Sequence, residues 1–98
     1  MLRHVAVFRW KEGTTAEQVE AIERGLAALP AHLPQLRAYA FGRDLGLREG
    51  NADFAVVADF DDEDGWRTYT DDAAHKRVLE DLILPVTEVR SAVQLRHP

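Results

Sequence analysis

Cysteine is absent from the chain. Disulfides, thiol nucleophiles and thiolate metal sites are therefore excluded. No apolar run approaches the roughly 18 residues that a membrane span requires, so no membrane partner is expected. Basic runs are also missing. The 12 lysines and arginines are interleaved with 17 acids, for a formal charge of −5. Proteins that grip nucleic acid neutralise phosphates with a basic surface, so a nucleic-acid partner is not expected either. The chain has no G-x-S-x-G, H-E-x-x-H, P-loop or G-x-G-x-x-G, which removes support for serine-hydrolase, zinc-protease, phosphate-handling and dinucleotide-binding chemistry. The opening "MLRHVAVFRW" is too short and too charged to read as a signal peptide, and a cytoplasmic protein is expected.

What is present is one small domain, 1–98, with 46% hydrophobic residues and a modest core. "LRHVAVFRW" (2–10) reads as a strand with Leu2, His4, Ala6, Phe8 and Trp10 on one face and Arg3, Val5, Val7 and Arg9 on the other. The pattern then turns helical. Thr14 or Thr15 serves as N-cap, Glu17 or Gln18 completes a capping box, and Val19, Ile22, Leu26 and Leu29 form an apolar stripe that Pro30 ends. "LRAYAFGRDL" (36–45) and "DFAVVADF" (53–60) read as the second and third strands. Asp61 or Asp62 caps a short helix weakened by Gly65. "DDAAHKRVLEDLILP" restarts a helix from an acidic cap, turning Val78, Leu79, Leu82 and Ile83 inward, and a last strand lies near 88–96.

The order β-α-β-β-α-α-β is a split βαβ plan with a broken second helix, giving an α+β, ferredoxin-like, four-stranded antiparallel sheet with helices on one face. Strand 1 is apolar on both faces, yet the chain has no spare helix for the second. A second copy of the same sheet is the simplest cover, so a homodimer with a barrel-like core is expected.

The stretch "YTDDAAHKRV" (69–78) holds the candidate chemistry. His75 falls in the first turn of the last helix, where the helix dipole and burial favour neutral imidazole while Asp71 and Asp72 oppose that effect. A neutral histidine near pH 7 suits a general base, and Tyr69 could donate a hydrogen bond to an oxyanion. The structural alternative is that His75 satisfies a backbone carbonyl and Tyr69 simply packs there. His4 reads either as a hydrogen-bonded core residue or as a pocket group facing His75. The aromatics Phe8, Trp10, Tyr39, Phe41 and Trp66 read first as core or dimer interface. Phe8, Phe54 and Trp66 are the ones expected to border a ligand. The carboxylates Asp59, Asp61, Asp62, Glu63 and Asp64 could attract magnesium but read better as a solvated helix cap, and no metal site is expected. His32 and His97 read as exposed.

Taken together, "RHVAVFRWKEGTT", "LPQLRAYAFGRDL", "DFAVVADFDDEDGWRTYTDDAAH" and the closing "ILP" plus strand resemble the stress-responsive A/B-barrel (Dabb) family over nearly the whole chain. The resemblance implies a ferredoxin-like fold and homodimers whose sheets build a barrel. It links the chain to stress responses, and to a plant polyketide cyclase that uses a tyrosine and a histidine placed like Tyr69 and His75. His4 lies where the family often has a histidine on strand 1. The family's His-Pro-Ala-His is here Asp72, Ala73, Ala74, His75, and a further cyclase histidine falls near Phe54. The expected function is a homodimer that binds a small apolar or aromatic molecule without a cofactor. The alternative is a cofactor-free, cyclase-like enzyme with a Tyr/His acid–base pair.

Overall fold

Alternation in the first strand produces β1, Leu2–Trp10, in a computed structural model that describes residues 1–98. Its Leu2, His4, Ala6 and Phe8 are buried under helices, and Val5 and Val7 face the opposite side half-covered. Thr15 then caps α1, Ala16–Ala28. Its side chain accepts from the Gln18 N–H and Gln18 returns the bond to the Thr15 N–H, a reciprocal capping box. Val19, Ile22 and Leu26 bury the expected stripe. Pro30 does not end the helical path outright. It sits in a 3₁₀ turn, Leu29–His32, near whose start its missing N–H costs nothing.

β2 (Ala38–Arg43) and β3 (Phe54–Phe60) follow, and β3 supplies Phe54, Val56, Ala58 and Phe60 to the core. α2, Glu63–Asp71, starts at Asp62, whose carboxylate accepts from the Gly65 N–H. Gly65 does not prevent this helix. A Cβ there would make ordinary contact, 3.4 Å, with the Phe60 Cβ, so the packing of α2 on β3 does not require glycine. α3 is only Ala73–Val78. It runs into a π-helical turn, Leu79–Ile83, and a 3₁₀ turn, Leu84–Val86, before β4, Thr87–Arg96.

The sheet order is β2-β3-β1-β4, antiparallel throughout, so the first and last strands lie side by side. The register pairs Val5 with Val57 and Val93, and Arg3 with Leu95. These residues share the helix-free face, where Val89, Val93 and Leu95 stay 43–53% exposed. The fold class is as the sequence implies: ferredoxin-like α+β with helices on one face. No helix is long and apolar enough to cross a membrane.

The acidic run resolves into separate contacts. Asp59 is buried and takes two bonds from the Arg3 guanidinium, at 2.8 and 2.9 Å, which hold its carboxyl below the usual range. Asp61 pairs with Arg37, Glu63 with Arg96 and Asp64 with Arg67, while Asp62 is the cap. His97 is not exposed as its position in the tail suggests. It is half-buried, with Nε2 3.4 Å from Asp59 Oδ1 and its backbone paired to Met1.

Candidate functional site

A single residue sets the site. Asp72 has extended backbone, φ −63° and ψ 132°, and so ends α2. Its carboxylate accepts from the His75 N–H at 3.0 Å, which starts α3. On an unbroken helix, residues six apart are separated by about 600° of rotation and point to different sides. With the break, the Tyr69 and His75 rings meet with centroids 4.0 Å apart and their planes tilted by 39°. Tyr69 is also tilted against Phe60, with centroids 5.2 Å apart, and lies 6.2 Å from the His4 ring.

These side chains border a cavity of about 450 Å³ between sheet and helices. Its floor is His4, Ala6 and Phe8 of β1 with Arg90, Ala92 and Gln94 of β4. Trp66, Tyr69, Thr70 and His75 form one wall, and Leu26, Val56, Leu79 and Ile83 form the apolar rest. The three β4 residues are exposed, so the mouth lies over β4. The size is that of a small-molecule pocket: mostly apolar, with a few convergent polar groups. A second depression, about 330 Å³ beside the Gly42–Leu45 turn, has no histidine or tyrosine in its lining.

The polar groups are tuned by burial. His4 is 6% exposed, and desolvation brings its pKa down to about 4, helped by the charge of Arg90 and by His75. Gln94 Nε2 meets His4 Nδ1 at 2.9 Å. With the amide nitrogen as donor, Nδ1 accepts and the ring proton sits on Nε2. His75 is likewise held below its ordinary pKa, first by burial. The Thr70 carbonyl and Asp72 pull it back up, while Arg90 pushes it down. No group completes a hydrogen bond to the buried His75 Nδ1. Tyr69, 2% exposed, is pushed up to about 12 by desolvation and remains a protonated donor at neutral pH. Tyr39 stands near enough to the Tyr69 hydroxyl to perturb its ionisation, and its own pKa is raised by burial. Even so, its hydroxyl has no partner in hydrogen-bond geometry.

The whole-chain pattern agrees with a known family model, the Stress responsive A/B Barrel Domain, over residues 2–95. The chain belongs to that family. A dimeric ferredoxin-like protein of unknown function from Thermobifida fusca is 50% identical, with 98% of this chain and 90% of that one aligned and a TM-score of 0.92. A hydroxynitrile lyase from Passiflora edulis shares the fold at 17% identity, TM-score 0.83, over 96% of this chain and 90% of that one. SnoaB, a cofactor-independent oxygenase from Streptomyces nogalater, does so at 17% identity, TM-score 0.75, over 98% and 91%. No protein of curated function matches the sequence.

Of the residues singled out from the sequence, the fold brings His75, Tyr69, His4, Phe8 and Trp66 to one cavity. Phe54 is not there. It is 2% exposed and packs between Trp10 and Phe41, at centroid distances of 5.6 and 6.4 Å, on the loop side of the core. Arg90, Gln94 and Thr70 border the cavity without having been singled out, and Tyr39 stands beside Tyr69. The alternation of β4 places Arg90, Ala92 and Gln94 on one face. Only the register with β1, Phe8 to Arg90 and His4 to Gln94, shows that this face is the cavity's.

Proposed function

We propose that this protein binds a small, largely apolar or aromatic molecule in the cavity over β1 and β4 and moves a proton on it, with His75 as the base and Tyr69 as a hydrogen-bond donor. The observation that carries this is an imidazole held toward its neutral form, with an unpartnered buried Nδ1, in close tilted contact with a protonated phenol at the wall of an open cavity. A histidine held neutral can accept a proton near pH 7, and a raised phenol can steady the oxyanion that forms without itself ionising. The chemistry invokes no cofactor. The hydroxynitrile lyase and the oxygenase support it only as examples of enzymes on this scaffold.

The test is proton exchange. In D₂O, an aryl methyl ketone that binds the protein should gain deuterium at its α-carbon faster than in buffer alone, followed by NMR. A bound ketone exchanging at the buffer rate sinks the acid–base role.

The helix-free face is proposed to be covered by a second copy. Supporting this are the exposed Val89, Val93 and Leu95, the half-covered Val5 and Val7, and the dimeric state of the Thermobifida fusca relative. Soluble monomers rarely expose such a contiguous patch. Light scattering at micromolar concentration should give a dimeric mass. Val93→Asp should weaken association at least about tenfold, because the added carboxylate would be desolvated without a partner. A monomeric wild type, or a variant that associates equally well, removes the dimer.

A further inference from the structure

We propose that the ligand of the cavity is an apolar molecule carrying a carboxylate, and that Arg90 is the residue that selects it. This rests on the cavity being the ligand site. None of its fourteen lining residues is an aspartate or glutamate. The one lining residue that carries a fixed charge is Arg90, on the helix-facing side of β4 opposite Phe8.

Five of the other nine arginines are neutralised. Arg3, Arg37, Arg43, Arg67 and Arg96 each pair with a carboxylate. Arg90 pairs with none, and its charge is felt at both histidines and at Tyr69. Arg9, Arg24, Arg48 and Arg77 also lack an acidic partner, but none of them borders the cavity.

Two other polar groups on the wall, Trp66 and Tyr69, favour the same ligand. Trp66 carries a buried indole N–H with no acceptor, and that group can only donate. Tyr69 keeps its proton and donates. Guanidinium, indole and phenol together offer hydrogens and no anion, so oxygen acceptors bearing negative charge complement them best. A guanidinium matches a carboxylate through two parallel N–H bonds, a geometry that a neutral amide reproduces poorly. The aliphatic and aromatic remainder, Leu26, Val56, Leu79 and Ile83 with Phe8, takes the apolar body. Arg90 sits at the exposed mouth, so the carboxylate lies there, while the apolar body packs against Leu26, Val56, Leu79 and Ile83.

The test compares naphthoate with naphthamide, which differ chiefly in charge, by isothermal titration calorimetry on the intact protein at low salt. Wild type should bind naphthoate about tenfold more tightly, the scale expected of a partly exposed charge-assisted pair. Arg90→Gln should abolish that preference by weakening naphthoate while leaving naphthamide within about twofold. Arg90→Lys should retain part of it. Equal affinities in wild type overturn the proposal. So does a preference that survives Arg90→Gln, or the failure of either probe to bind. The outcome is separable from the acid–base role: a naphthoate preference without ketone exchange removes only the chemistry, and ketone exchange without a naphthoate preference removes only the carboxylate.

Discussion

Replacing His75 with glutamine should slow α-proton exchange of a bound ketone by about a hundred- to ten-thousandfold, the usual contribution of a positioned general base. Folding should be little affected. The bond that starts α3 runs from the His75 backbone N–H to Asp72, and the substitution leaves it in place. The ring's Nδ1 has no hydrogen-bond partner to lose. The melting temperature should therefore stay within a few degrees while the rate falls. Tyr69→Phe should also reduce the rate, by roughly a hundredfold, because it removes one oxyanion donor but keeps the ring packing on Phe60. Equal rates in wild type and the His75 variant, with ligand affinity unchanged, would exclude the imidazole as the base.

Acid should destabilise the fold well before its carboxylates titrate. Unfolded His4 takes up a proton near 6.5, while folded His4 resists until about 4, because burial and then the charges of Arg90 and His75 disfavour imidazolium. Between those values the unfolded chain binds more protons, so stability rises with pH through this window and is lost as pH falls. The full effect from His4 approaches about 3 kcal/mol, and the depressed pKa of His75 adds in the same direction. Asp59 and Asp61, held low by Arg3 and Arg37, contribute only at more acidic pH, below their ordinary value of 3.8. Urea unfolding at fixed protein concentration should show the loss between pH 6.5 and 4.5. His4→Gln, which can still meet Gln94, should flatten it. A flat wild-type profile over that interval would mean that His4 is not buried as the fold places it.

The strands and helices were readable because their causes are local. Two-residue alternation marked the strands, and Thr15 with Gln18 marked the start of α1. Even the break between the two later helices was visible in the acidic pair before Ala73. What was not readable depends on register. Arg90 and Gln94 became cavity residues only when β4 aligned with β1, and nothing within "VTEVRSAVQLR" says which alternate face meets the helices. Phe54 shares its face with Val56, which does border the cavity, yet the sheet carries it past the cavity to Trp10 and Phe41. His97 looked solvated because it lies in a tail. The buried Asp59 that it approaches is drawn there by Arg3, 56 positions away in sequence. The π-helical turn after α3 has no sequence signal that we can identify.

The strand order has a consequence for how this protein is made. β1 is synthesised before both of its sheet neighbours, β3 by some fifty residues and β4 by more than eighty. Synthesis runs from the N-terminus, so the edge of β1 that pairs with β4 has no partner until β4 is made, even after β3 has taken the other edge. Half of the cavity floor is β4. A chain that stops before β4 therefore lacks Arg90, Ala92 and Gln94 and leaves the cavity without that side. A molecule bound in the cavity would stabilise only chains in which β4 has paired with β1.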